Sequence, residues 1–422
     1  MKPTFRFLFT VAVLLLAVSF SFGRAAQQQP AFATDSAEQR AAISDAMKAH
    51  SYSISLQNGS LAGPGMDLIA RNAASAQFVL FGEEHNVKEF PPVMSALFAF
   101  LHQHDNFNYF AFESDPVSAH IASLSHMRGN LAAISQYAAK YPNAFTFSTD
   151  QELQMVADIA RVSTGHTDPL WGLDQSFGVL HSLDRLSALP GFHSTPKFAE
   201  LHKQAEELDS RRFQEATHYM SRIVKTSDLE ELRRQMAPPD GSEAKFILDN
   251  LVSSSQIYGY YYAGEHYSNL YIREEQFKHL FMREYQAAQD RGEKNPKVLL
   301  KFGHWHLFRG TNPAHLQTFG DFVTEFAVAN GGEAFSLGTY LRGPWRDVSH
   351  QQGLEPIALA SDPHAWTVID FRALRPAVAA GKFGAANPNL LMHIYGFDAG
   401  LVIGDASAGT YATVNKTAAP TK

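Results

Sequence analysis

A chain of 422 residues with 45% apolar and 18% charged content has the make-up of a globular protein with a sizeable core, which excludes disorder as its main state. It contains no cysteine, so disulfides, thiolate metal sites and a cysteine nucleophile are excluded together. The formal net charge of −7 carries no basic stripe, which argues against nucleic acid and against an anionic membrane surface as partners and leaves a small-molecule substrate or ligand.

Lys2 and Arg6 precede an apolar run from Leu8 to Phe22, and Gly23-Arg24-Ala25 supplies small residues for a peptidase. Residues 1–26 therefore read as a signal peptide cut near Ala25 or Ala26, and the protein is expected to be exported, periplasmic or secreted. The run falls short of the ~20 residues a bilayer span needs, so no integral span is expected after cleavage. Residues 27–50 read as a polar lead-in with a short helix, and Leu61-Ala-Gly-Pro-Gly65 as a turn-rich entry to a body spanning 51–406.

Four segments read as buried strands ending in an ionisable residue. They are Gln77-Phe-Val-Leu-Phe-Gly-Glu83-Glu84-His85, Tyr109-Phe-Ala-Phe-Glu113, Leu170-Trp-Gly-Leu-Asp174 and Val298-Leu-Leu-Lys-Phe-Gly-His304-Trp305-His306. Helical periodicity between the first three, over Pro91 to His104, His120 to Lys140 and Gln151 to Val162, predicts βαβ units and a parallel sheet. Residues 196–290 lose the strand signal and read as a helical insertion. Further strands are expected at Glu333 to Leu341, Ala365 to Phe371 and Leu390 to Tyr395, and residues 407–422 as a flexible tail. The fold class is α/β: a mainly parallel sheet flanked by helices, with the helical insertion over the C-terminal strand edge.

In such a sheet the carboxyl ends of the strands share one edge, where ligands bind. Glu83, His85, Glu113, His304 and His306 are thereby expected in one pocket as the catalytic set, since buried carboxylates and imidazoles are costly unless they do chemistry or hold a metal. A carboxylate beside an imidazole makes a better base for water. His304 and His306, at a spacing of two, share one face if the backbone there is extended. Glu83, His85, Glu113 and His304 also suit a divalent metal. Arg273, on a helix with Phe277, Phe281 and Tyr285, is placed to hold a substrate carboxylate or an oxyanion. Tyr260 and His266 in the insertion are candidates for a substrate wall, together with Asp174. Asp174-Gln175-Ser176-Phe177-Gly178 resembles a nucleophile elbow, but Asp174 stands where that motif needs glycine, so a serine hydrolase is a minor alternative.

The order of these motifs, from Gln77 to about Gly310, resembles the erythromycin esterase-like proteins and the wider superfamily of ChaN-like haem-binding lipoproteins and Tiki-type metalloproteases. The esterase branch implies an esterase-like hydrolase that activates water with Glu83, His85, Glu113, His304 and His306. The other branches imply haem bound through a Tyr or His ligand, or a metal-dependent hydrolase or protease using the same residues.

Overall fold

The computed structural model describes residues 36–163, 165–208, 224–384 and 386–415. The expected signal peptide lies outside them. The strands are β1 (Ser51–Gln57), β2 (Ser60–Ala62), β3 (Ala76–Glu83), β4 (Tyr109–Phe112), β5 (Leu170–Gly172), β6 (Val298–Gly303), β7 (Glu333–Arg342), β8 (Trp366–Asp370) and β9 (Ala399–Gly404). They form one sheet in the order β2-β1-β8-β9-β7-β3-β6-β4-β5. From β9 to β5 every neighbouring pair is parallel, while β8 runs antiparallel to β9 and β1, and β2 to β1. The fold is α/β, as expected, with a mixed edge.

The central strands are apolar at almost every position because both faces are covered. Alternation sends Val79, Phe81, Phe110, Phe112 and Leu299 into one core layer, and Phe78, Leu80, Tyr109, Ala111, Leu300 and Phe302 into the other. The first layer is filled by the helices Pro64–Ser75, Phe90–Asp105 and Asp150–Val162, the second by His266–Asp290 and Phe319–Ala329. Residues 196–208 and 224–290 carry four helices, Pro196–Leu208, Thr226–Met236, Glu243–Tyr262 and His266–Asp290. The last of these presses Phe281 edge-on against Phe78 and Trp171, with centroids 5.5 and 5.8 Å apart.

Several expectations differ from the structure. Helix Ala37–Ala49, read as part of a lead-in, buries Ile43 and Met47 in the second core layer. Of the turn-rich entry, Leu61 and Ala62 belong to β2, which forms a hairpin with β1 across an Asn58-Gly59 turn with positive φ at both residues, and Pro64 begins the helix Pro64–Ser75. Leu390 to Tyr395, expected as a strand, lies in the helix Pro388–Gly396. Asn387 caps that helix by accepting from the Asn389 N–H (2.9 Å) and Pro388 begins it, a start signal that outweighs the apolar run. The strand is β9, just beyond. The expected flexible tail is tied down through residue 413: the Ser407 hydroxyl donates to Glu89 (2.6 Å) and the Ala412 and Thr413 N–H groups donate to Asp150 (3.0 and 2.8 Å). No helix among the described residues is long and apolar enough to cross a membrane.

Candidate active site at the carboxyl ends of the parallel strands

Strands β3, β6, β4 and β5 are adjacent, and register pairs Glu83 with Gly303 and Phe112 with both Lys301 and Gly172. The residues that follow these pairs must therefore meet. Glu83 (3% exposed) accepts from His85 Nδ1 at 3.1 Å, and His85 Nε2 faces Glu113 Oε2 at 3.7 Å. The imidazole stacks on Phe147 with centroids 4.2 Å apart, yet the side chain remains 28% exposed. Burial disfavours its cation, but the charges of Glu113 and Glu83 outweigh burial and raise its pKa above the ordinary histidine value. Glu113 is held well below the usual carboxylate range: burial pushes it up, but His85, Arg273, His306 and the Gly303 N–H (2.7 Å) prevail.

Arg273 reaches in from the helix His266–Asp290. Its Nε donates to Asp174 Oδ1 (2.8 Å), and Nη2 donates to Asp174 Oδ2 and Glu113 Oε1 (2.6 Å each). Asp174 is fully buried, and burial raises its pKa above the ordinary carboxylate value; this bidentate pairing is the main effect opposing that rise. Arg273 thus clamps two protein carboxylates, where a grip on substrate was expected; its Nη1 faces His306 Nε2 at 3.2 Å. The next residue, Glu274, accepts from His306 Nδ1 (2.6 Å) and from the Phe319 N–H (2.7 Å), which fixes His306 as the Nδ1–H tautomer.

The shared face expected for His304 and His306 is corrected. Residues His304–Leu307 form a helical turn, on which positions two apart point in different directions. His306 joins Glu113 and Arg273. His304 Nε2 instead accepts from the Thr339 N–H (2.6 Å), and its Nδ1 lies 4.0 Å from Glu84, which is paired with Arg346. Burial, reinforced by the positive charge of His85, lowers its pKa to about 3, so it is neutral.

This arrangement does not suit the expected divalent metal set. The lone pair of His304 is used by Thr339, Glu113 is gripped by Arg273, and the ammonium of Lys301 sits 2.7 Å from Glu83. Among the described residues no group of three or more such donors is arranged to hold a metal ion. Tyr260 (38% exposed) and His266 lie exposed at the tip of the helical hairpin, and Tyr262, Tyr267 and Tyr271 are exposed with them.

Sequence reasoning missed Phe147, Glu152 and Lys301. Lys301 stood out as the single cation in an apolar strand, and Thr149-Asp-Gln-Glu152 has the spacing of a helix capping box. Thr149 does cap the helix Asp150–Val162, but the Glu152 side chain turns to Lys301 (2.9 Å). Gly303 makes room for the imidazole: a Cβ there would come within 2.7 Å of His85 Nε2 and 3.4 Å of Glu113 Oε2. Gly303→Ala is accordingly expected to displace the ring and cut activity about 10²-fold. A crystal structure of the variant with His85 unmoved contradicts this.

The sequence matches no family model and no curated protein. Solved structures do match. A succinoglycan biosynthesis protein aligns over 89% of this chain and 100% of its own, at 16% identity and a TM-score of 0.58. A Bacillus cereus protein aligns over 88% of this chain and 99% of its own, at 15% identity and a TM-score of 0.55. The erythromycin esterase EreC, a mutant in its open conformation, aligns over 82% of this chain and 94% of its own, at 13% identity and a TM-score of 0.50. The chain has an erythromycin esterase-like fold. At these identities the likeness is one of architecture alone.

Proposed function

We propose that the protein is an exported esterase-like hydrolase in which His85 activates water. The observation that carries this reading is a partly exposed imidazole oriented by Glu83 at Nδ1 and facing Glu113 at Nε2 across a gap too long for a direct hydrogen bond. Donation of Nδ1–H to Glu83 leaves the Nε2 lone pair free for a water proton. As that water adds to an ester carbonyl, His85 becomes the imidazolium, which both carboxylates stabilise. The same proton then passes to the departing alkoxide, giving acid and alcohol. An esterase among the proteins that share the fold supports the reading, and the basic, apolar and small-residue start of the chain supports export.

The test is the pH dependence of kcat/KM with p-nitrophenyl acetate. The base must be neutral, so activity rises with pH through the raised pKa of His85. Glu113→Gln removes the negative charge that favours the cation, so the rising limb moves to lower pH by on the order of one unit. A limb that stays in place shows that another group is the base. A haem absorption band formed on adding haem, with no ester hydrolysis, assigns the site to ligand binding instead.

A further inference from the structure

The geometry points to Lys301 as a positioning residue for the base: with Glu152 it locks Glu83, and through Glu83 the ring of His85. This rests on His85 being the base. Lys301 lies in the middle of β6, the strand between β3 and β4, and is 2% exposed. Its neighbours Leu299, Leu300 and Phe302 are fully buried apolar residues, so a leucine or methionine at 301 would extend the pattern. A buried ammonium is costly even when paired, and apolar replacement of buried ion pairs is often neutral or stabilising. Stability alone therefore does not account for a lysine here.

Its placement does. Lys301 Nζ donates to Glu83 Oε1 (2.7 Å) and pairs with Glu152 Oε1 (2.9 Å). Glu83 Oε1 is the same oxygen that accepts from His85 Nδ1. One carboxylate oxygen is thus held between an ammonium behind it and the imidazole in front. Without the ammonium, Glu83 keeps only the His85 bond and is free to turn about its side chain. Glu152 balances the charge from the first turn of the helix Asp150–Val162, and Phe147, just ahead of that helix, stacks on the ring. No hydrogen bond joins Lys301 to the ring, so it orients His85 through Glu83, while its positive charge also opposes the imidazolium. Misplacement of a base by about 1 Å costs on the order of 10²-fold in rate, which is the effect expected from its loss.

The experiment compares Lys301→Met with Lys301→Met/Glu152→Leu in the full mature chain. The single variant leaves Glu83 and Glu152 as facing buried carboxylates and is expected to be unstable. The double variant removes one charge of each sign, and its thermal midpoint is expected near that of the parent. If Lys301 positions the base, the double variant still loses about 10²-fold in kcat for p-nitrophenyl acetate with KM unchanged, and the ¹⁵N signals of His85 shift from a single Nδ1–H tautomer to a mixture. A double variant with parental kcat and a single tautomer overturns the proposal. Absence of ester hydrolysis by the parent protein sinks the hydrolase reading instead, and the ¹⁵N tautomer readout then decides the positioning role by itself.

Discussion

His85→Ala lowers kcat/KM for p-nitrophenyl acetate by about 10²–10⁴-fold, the usual contribution of a positioned general base, while the thermal midpoint stays close to the parent value. The second half of this expectation follows from the partners left behind. Glu83 keeps Lys301, and Glu113 keeps Arg273 and the Gly303 N–H, so no buried carboxylate is orphaned. The imidazole itself is partly solvated and adds little to the core. A variant that loses activity and also fails to fold would make this segment structural, and one that retains full activity would place the chemistry elsewhere.

Arg273→Ala is the opposite kind of change. It strips the counter-charge from Asp174, which is fully buried, and from Glu113 beside it. Breaking a buried pair by removing one partner costs about 3–5 kcal/mol because the remaining charge has no water to turn to. Arg273→Lys recovers only part of this, since an ammonium cannot span both Asp174 oxygens and Glu113 in the planar fork that the guanidinium provides. The urea midpoint should fall steeply for Ala and less for Lys, with the slope of the transition unchanged. An Arg273→Ala protein as stable as the parent would mean that the two carboxylates are neutral, and that the clamp is not an ion pair at all.

Much of this architecture was legible in the sequence, for a physical reason. Strands buried on both faces must be apolar at consecutive positions, so an ionisable residue at the end of such a run is conspicuous. That pattern located β3, β4, β5 and β6 and brought Glu83, His85, Glu113 and Asp174 to one edge. Local periodicity did not reveal partners supplied from elsewhere. Lys301 matters because β6 lies beside β3, and strand order is not written in either strand. The spacing of His304 and His306 carried no sign of the helical turn that separates them. In the helix Pro388–Gly396, Leu390, Leu391, Met392 and Ile394 crowd together as they would in a strand, and only the Asn387-Pro388 start marks the segment as helical.

The position of β3 in the sheet also governs when the molecule can be assembled. Phe78 pairs with Val298 on one side and with Ala334 on the other, so both neighbours of this strand come from far later in the chain. Neither hairpin formation nor a local crossover can pair it early, and closing loops of this length makes folding slow. Until β6 has been synthesised, the segment Phe78-Val79-Leu80-Phe81 is an apolar strand with two open edges, and until β7 follows one edge stays open, the kind of sequence that pairs with other copies of itself. A chain truncated ahead of Glu333 should therefore aggregate rather than form a smaller domain, and the nascent protein has reason to engage a holding chaperone until its last third is complete.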